Sequence, residues 1–227
     1  MTDTHPDAAA AAQTHAYILL DRTGSMGSIW NEALGSVNAY VTALTQPSEG
    51  AKPSEDDKVT LAVFDHHAGL QFDVLRRSAK AADWTKVTDA EASPRGMTPL
   101  FDSIARIVAL AESDQPSRAV IVIMTDGQEN ASKEVTKDGA KAALDRVRAK
   151  GWEVVFLGAE FGKFMDAEAM GVSGSKSMAM ASGNFDLSMR KLASKSRKYF
   201  EAAESMDFNE EDRKEAGEEG VIRRKGK

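Results

Sequence analysis

Three oxygen-bearing side chains, Asp21, Thr23 and Ser25, follow one apolar run at alternate positions. Side chains two residues apart in an extended loop lie on the same side of the chain, so the carboxylate and the two hydroxyls can converge. Carboxylate and hydroxyl oxygens are hard donors, which suit Mg²⁺, and also Mn²⁺ or Ca²⁺, better than a soft metal. The spacing therefore indicates a divalent-cation site directly after the run Tyr17–Leu20.

Two later loops carry the same kinds of group. Gly96-x-Thr98-Pro99 opens an apolar helical pattern, and Thr125-Asp126-Gly127 follows the apolar run Ala119–Met124. Open α/β folds bind their ligands at the carboxyl ends of their strands, and this is where we expect the two aspartates to lie. The groups that could do chemistry are therefore concentrated at these three loops.

Strand and helix patterns alternate along the rest of the chain. Continuous apolar runs predict strands buried on both faces at residues 15–21, 118–125 and 152–157, and an alternating run predicts a strand at 58–65. A short turn after residue 65 leads to a second strand at 70–75, which forms an antiparallel hairpin with the strand before it. Helical spacing of apolar residues predicts helices at 28–46, 99–114, 133–150 and 184–206. Weaker patterns predict a short helix at 161–170 and a last edge strand at 177–181.

This order of elements predicts a three-layer α/β fold. The sheet is expected to be Rossmann-like, doubly wound and mostly parallel, with one antiparallel edge strand and helices on both faces. A chain of 227 residues with 42% hydrophobic content can bury one substantial core. We therefore expect one domain at 14–206, a disordered leader at 1–13 and a charged, disordered tail at 207–227.

Composition excludes several classes of function. The net charge of −6, with both signs interspersed, argues against binding to nucleic acid or to an anionic membrane. The absence of cysteine excludes disulfides and Cys-based metal sites. The first twelve residues lack the charged start and the apolar core of a signal peptide, and no apolar run is long enough to span a membrane. A cytoplasmic protein is the resulting expectation.

The three loops together resemble the von Willebrand factor A (vWA) domain and its metal-ion-dependent adhesion site. That family's pattern is Asp-x-Ser-x-Ser, then a lone Thr, then an Asp that is usually followed by Gly. Thr23 replaces the middle Ser and keeps its hydroxyl, and the resemblance covers roughly residues 15–206. Within the family, the chain most resembles stand-alone intracellular proteins of bacteria and their phages, including the tellurite-resistance type.

The resemblance implies a role for each ligand. Thr23 and Ser25 coordinate Mg²⁺ through their hydroxyls, and Thr98 does so directly or through water. Asp21 and Asp126 act mostly through bound waters, and an Asp or Glu of a partner protein fills the open position. A rim around that position is implied to select the partner, and it comprises Arg22, Met26, His66, Arg95, Met97, Gln128 and Glu129.

One enzyme class offers an alternative. Asp21-Arg22-Thr23-Gly24-Ser25 is similar to the phosphorylated Asp-Lys-Thr-Gly-Thr of P-type ATPases and haloacid-dehalogenase-like enzymes, in which Asp21 would be a nucleophile and Asp126 a metal ligand. That chemistry requires a lysine before the last acidic motif, but no lysine occurs between Lys86 and Lys133. We therefore expect a non-enzymatic, Mg²⁺-dependent interaction module. A phosphotransferase is the alternative, and a structural or scaffold protein with an unused site is a further one.

Overall fold

The computed structural model describes residues 13–47, 56–159, 167, 168 and 170–225. Its strands are β1 (Thr14–Asp21), β2 (Lys58–His66), β3 (Leu70–Lys80), β4 (Arg118–Thr125), β5 (Glu153–Ala159) and β6 (Ser177–Met180). Its helices are α1 (Trp30–Leu44), α2 (Leu100–Asp114), α3 (Lys137–Ala149), α4 (Phe185–Ala202), α5 (Glu210–Glu215) and α6 (Glu218–Lys225). A 3-10 helix at Gly24–Ser28 precedes α1.

The strands form one six-stranded sheet in the order β3-β2-β1-β4-β5-β6. All neighbouring strands are parallel except β2 and β3, which form the antiparallel hairpin at one edge. The predicted fold class, a mostly parallel three-layer α/β sheet with one antiparallel edge strand, is confirmed. The two central strands, β1 and β4, are buried at all or nearly all of their positions.

The course of β1 shows how the sheet divides the core into two layers. Ile18 and Leu20 join the core that α1 and α4 cover, whereas Tyr17 and Leu19 join the core beneath α2 and α3. Successive side chains of a strand point to opposite faces, so a strand covered on both faces must be apolar throughout. The central strands therefore end at a fixed place between two packed layers.

The hairpin is longer than predicted. β3 extends to Lys80, whereas the sequence predicted an end at residue 75. The charged residues after Leu75 remain in the strand because their side chains find partners away from it, as when Arg77 pairs with Asp114 of α2. The run of charged residues therefore led to a predicted end of this edge strand that is too early in the sequence.

Two helices differ from the prediction by four residues at one end. The helix expected from residue 133 begins at Lys137, because the backbone N–H groups of Lys133, Glu134 and Val135 donate to the Asp102 carboxylate at 2.7 to 3.0 Å. These donors are thus satisfied without helical geometry. The last long helix ends at Ala202, and Ala203 then takes a left-handed conformation with φ of 55°.

The segment at residues 207–221, called the C-terminal segment below, is ordered against the sheet, so the expectation of a disordered tail is wrong for the described residues. Phe208 and Val221 are buried, and Asn209 forms a reciprocal capping box with Asp212 at the start of α5. The Asp212 carboxylate also pairs with Lys195 of α4 at 2.8 Å. The charges that suggested disorder are partners for α4, and the few apolar residues between them supply the packing.

The remaining predictions fall largely outside the described residues. The leader at 1–13 is described only at Gln13, and of the short helix predicted at 161–170 only residues 167, 168 and 170 are described. The predicted edge strand is present as β6. Within the described part of the chain, no helix is both long enough and apolar enough to cross a membrane.

A buried polar cluster lies at the amino-terminal edge of the sheet. The His15 ring stacks on Tyr17 with centroids 4.0 Å apart, its Nε2 lies 2.9 Å from Thr60 Oγ1, and its Nδ1 lies 2.9 Å from the Tyr17 hydroxyl. The same hydroxyl donates to Asp114 at 2.8 Å. Burial lowers the pKa of His15 from 6.5 to about 4; Asp114 opposes this shift, whereas Arg77 and Lys58 add to it.

His15 is expected to make folding stability depend on pH. Its pKa is lower in the folded state, so its contribution is complete above the unfolded pKa of 6.5 and is lost as pH falls towards 4. A difference of two to three pKa units is worth about 3 kcal/mol. The measurement is the free energy of unfolding by denaturant at several pH values, for wild type and for His15→Gln.

The difference in the free energy of unfolding between wild type and His15→Gln isolates the contribution of His15. Other titrating groups, such as Asp21, contribute to both proteins. Wild type should lose stability relative to His15→Gln as the pH is lowered through this window. Parallel pH profiles would show that His15 does not titrate on unfolding in this way.

Candidate metal site

Three loops that are distant in sequence meet at the carboxyl ends of the central strands. β1 and β4 are parallel neighbours with Leu20 paired to Met124, so the residues that follow them emerge side by side. The loop before α2 reaches the same edge through the end of β2, where His66 N donates to Met97 O at 2.9 Å and Met97 N donates to His66 O at 3.2 Å. The topology therefore brings all three predicted motifs to one place.

Asp21 is the buried centre of this place. Its side chain is fully buried; Oδ1 accepts from Thr23 N at 2.7 Å, and Oδ2 accepts from Thr125 Oγ1 at 2.6 Å. Burial raises the pKa of Asp21 to about 7 against the opposing effect of these hydrogen bonds, and the charge of Asp126 raises it further. A carboxylate in such surroundings is stabilised in its charged form by a nearby cation.

The other four predicted ligands adjoin Asp21 in a connected group. Ser25 Oγ donates to Asp126 Oδ1 at 2.7 Å and lies 3.2 Å from Thr23 Oγ1. Thr98 Oγ1 lies 3.4 Å from Thr23 Oγ1. Thr23 and Thr98 are buried, whereas Ser25 is exposed, so the group opens to solvent on the side of Ser25.

Backbone hydrogen bonds hold the loops in register. Gly24 N donates to Gly96 O at 3.2 Å, which joins the first loop to the second. Thr98 N donates to Asn130 Oδ1 at 2.8 Å, which joins the second to the third. Gly127 is required at its position because a Cβ there would lie 2.8 Å from Thr98 Oγ1.

The donor set fits a hard divalent cation. All five side chains offer oxygen, and Mg²⁺, Mn²⁺ and Ca²⁺ are the ions that favour carboxylate, hydroxyl and water oxygens. The described residues contain no group of three or more His, Cys, Asp or Glu side chains arranged to hold a metal. A cation at this place would therefore depend on the hydroxyls of Thr23, Ser25 and Thr98 as much as on the two carboxylates.

The same geometry disfavours the phosphotransferase alternative. A nucleophilic carboxylate must reach a substrate, but Asp21 is fully buried and each of its oxygens already accepts a hydrogen bond. The exposed member of the group is Ser25, whose hydroxyl donates to Asp126. The arrangement suits the holding of a cation better than attack on phosphorus.

Two of the predicted rim residues do not lie on a rim. Arg22 is 4% exposed and Met26 is fully buried. Arg22 points away from Asp21 and pairs with Asp65 and Asp73, both at 2.5 Å, while Met26 packs into the core that α1 covers. The expectation failed for Arg22 because Asp65 and Asp73 receive its guanidinium. It failed for Met26 because the 3-10 helix Gly24–Ser28 turns its side chain into the core.

The other five rim residues lie at or near the surface. Met97 is half exposed, Arg95 and Gln128 are exposed, and His66 is half-buried. Glu129 has a structural role instead, because it accepts from Phe101 N at 2.9 Å and from Ala131 N and Ser132 N at 2.8 and 2.7 Å. The exposed residues among the predicted rim are therefore Arg95, Met97 and Gln128.

Sequence reasoning missed three supporting residues. Thr125 bonds to Asp21, Asn130 bonds to the backbone of Thr98, and Asp102 holds the loop before α3. Thr125 and Asn130 stand within four residues of Asp126, so proximity to a predicted ligand was an available signal for both. Asp102 carried no such signal, because an acid in the first turn of a helix is common for reasons unrelated to any site.

Comparison with known proteins identifies the family. The sequence model of the von Willebrand factor type A domain matches residues 16–211, and the chain therefore belongs to that family. No curated protein matches the chain.

Several solved structures share the fold. The vWF domain of the type V pili tip protein Mfa5 from Porphyromonas gingivalis is 10% identical, with a TM-score of 0.63 over 88% of this chain and all of that one. The pilus adhesin SpaC from Lactobacillus rhamnosus GG is 14% identical with a TM-score of 0.63 over 83% of this chain, which spans only 31% of SpaC. The manganese-loaded TRAP protein of Plasmodium vivax is 16% identical with a TM-score of 0.53, over 75% and 69% of the two chains. At such identities the likeness concerns the fold.

Proposed function

We propose that this chain is an interaction module that binds a partner protein through a divalent cation, with Mg²⁺ as the expected ion and Mn²⁺ or Ca²⁺ as alternatives. The observation that carries the proposal is the meeting of five oxygen donors from three separate loops, Asp21, Thr23, Ser25, Thr98 and Asp126. Membership of the vWA family supports it, as does the presence of pilus adhesins among the structural neighbours.

Each residue has a distinct part in this proposal. Thr23, Ser25 and Thr98 bring neutral hydroxyl oxygens to the cation, so they leave most of its charge uncompensated. Asp21 and Asp126 supply negative charge from the strand ends. Mg²⁺ keeps part of its water shell readily, so one coordination position remains exchangeable. An Asp or Glu of the partner takes that position, and the cation supplies the attraction without catalysis.

Surface residues next to Ser25 then select the partner. A cation accepts any carboxylate, so discrimination has to come from neighbouring contacts. Arg95, Met97 and Gln128 are the exposed residues that the site offers for this purpose, with His66 behind them. The half-exposed Met97 provides adaptable apolar contact, and Arg95 favours an acidic neighbourhood around the partner's carboxylate.

The proposal predicts a cation-dependent rise in melting temperature. At a cation concentration about 100 times its Kd, wild type should gain about 2.7 kcal/mol of stability. For a protein of this size that corresponds to a rise of roughly 5–10 °C, measured by thermal unfolding with Mg²⁺, Mn²⁺ or Ca²⁺ against EDTA. Ser25→Ala should remove most of the rise. Ser25 is exposed and its side chain bonds only within the described site, so this variant is expected to remain folded.

Ser28→Ala is the matched control, because Ser28 is exposed and lies in the same 3-10 helix as Ser25. It should respond to cations as wild type does. Three results would contradict the proposal: no rise in wild type with any of the three cations, an equal rise in Ser25→Ala, or an equal loss in Ser28→Ala. A chain without a cation response would be a structural vWA protein with an unused site.

A further inference from the structure

A cavity of about 300 Å³ lies beside the candidate metal site, between the start of α2 and the start of α3. Phe101 and Val135 form its apolar part, and its polar lining includes Glu129, Ser132, Lys133 and Lys137. Phe101 and Val135 are only partly buried and pack against the core beneath α2 and α3. The cavity thus combines an apolar surface with two ammonium groups.

The carboxylates of this cavity are engaged, whereas its lysines have no acidic partner in the part of the chain that the structure describes. Glu129 accepts backbone N–H groups and the Ser132 hydroxyl, and Glu134 pairs with Arg106 at 3.1 Å. Lys133 and Lys137 are exposed, and neither pairs with an acidic side chain among the described residues. The cavity therefore offers its positive charge to an external ligand.

The cavity and the metal site are built from the same two segments of chain. Phe101 follows Thr98 by three residues, and Phe101 N donates to Glu129 Oε2 at 2.9 Å. Glu129 in turn follows Asp126 by three residues, and its neighbour Asn130 accepts from Thr98 N at 2.8 Å. A polypeptide that presents a carboxylate to the cation can continue directly over the cavity.

We infer that the partner's binding element is an extended acidic segment that spans both places. Its first acid completes the coordination of the cation, an apolar side chain packs on Phe101 and Val135, and a second acid lies between Lys133 and Lys137. This inference rests on the proposed function for the first acid only. The contacts in the cavity come from charge and shape that are independent of the cation.

The probe is a fluorescent, extended peptide with Asp, Leu and Asp at every second position and Ser between them, so that these three side chains lie on one face. It is titrated with wild type in saturating Mg²⁺ and followed by fluorescence anisotropy. Lys133→Ala/Lys137→Ala should weaken binding about tenfold, which is the combined effect of two partly exposed charge pairs. The Mg²⁺-dependent rise in melting temperature should stay unchanged in this variant. Lys86→Ala/Lys214→Ala removes the same charge from exposed lysines outside the cavity, and it should bind the peptide as wild type does.

The outcomes separate the two proposals. Three results would overturn the inference: no peptide binding, equal weakening of binding by both double variants, or no weakening by either. The proposed function is decided separately, by the rise in melting temperature with cations. Binding that depends on Lys133 and Lys137 but not on Mg²⁺ or Ser25 would retain the cavity and reject the cation's role in partner binding. The same titration with a single-stranded oligonucleotide of the same charge tests for a different class of partner. Binding as tight as that of the peptide, and dependent on the same two lysines, would overturn the inference that the partner is a protein.

Discussion

Gly96→Ala is expected to lower the free energy of unfolding by at least about 3 kcal/mol, because two separate costs add at this position. Gly96 has a φ of 70°, a left-handed conformation that costs a residue with a Cβ about 1–2 kcal/mol. The added Cβ would also lie 2.4 Å from His66 O, a distance that real structures do not tolerate. His66 O cannot retreat freely, since it accepts from Met97 N.

The measurement is equilibrium unfolding by urea, with Gly174→Ala as the matched control. A Cβ at Gly174 would meet no atom within 4 Å, and this glycine does not have a positive φ. The control should therefore lose no more than a few tenths of a kcal/mol, as surface substitutions usually do. If Gly96→Ala were as stable as the control, the loop before α2 would not have the conformation described.

Phe208→Ala is expected to be the second most damaging change, at about 3 kcal/mol. Phe208 is 5% exposed and belongs to the core that α1 and α4 cover, although it lies beyond the last long helix. Removal of a buried phenyl ring costs its transfer free energy and leaves a cavity, which together amount to 3–5 kcal/mol in well-packed proteins. For a chain of this length the melting temperature should fall by roughly 6–12 °C.

Glu204→Ala is the matched control for this variant. Glu204 is exposed and lies four residues before Phe208, so its replacement should leave the melting temperature nearly unchanged. Limited proteolysis provides a second readout, because residues 207–221 should be cleaved faster in Phe208→Ala than in wild type. A disordered C-terminal segment would give equal melting temperatures and equal cleavage in both proteins.

The order of the elements could be predicted because the strongest patterns coincide with the most buried parts. β4 is apolar at almost every position and lies in the middle of the sheet, where both faces are covered. The meeting of Asp21, Thr98 and Asp126 follows from the same feature, because each stands just beyond a strand or at the start of a helix at the carboxyl edge of the sheet. The positions of the three loops and the resemblance to the vWA family were together enough to group these residues.

The parts that could not be predicted depend on contacts between distant residues. Arg22 is buried because its guanidinium pairs with Asp65 and Asp73 of the hairpin. No residue next to Arg22 in the sequence indicates that these two partners exist. The loop before α3 avoids the helix that its sequence favours because Asp102, some thirty residues earlier, accepts its backbone donors. In each case a buried polar partner outweighs the local preference.

The two edges of the sheet differ in a way that limits self-assembly. At β6, the C-terminal segment occupies the edge: Ala179 N donates to Glu218 Oε1 at 3.0 Å, and Ala181 N donates to Ala216 O at 2.8 Å. At the opposite edge, β3 pairs with no described strand other than β2. A molecule with a single open sheet edge can pair with one other copy. That pairing uses the open edge of each copy, so such an assembly would stop at two molecules. Detachment of the C-terminal segment would give each molecule two open edges, and pairing could then continue into a filament. The residues after α4 thus cover the second edge, from which such strand-mediated growth would have to continue.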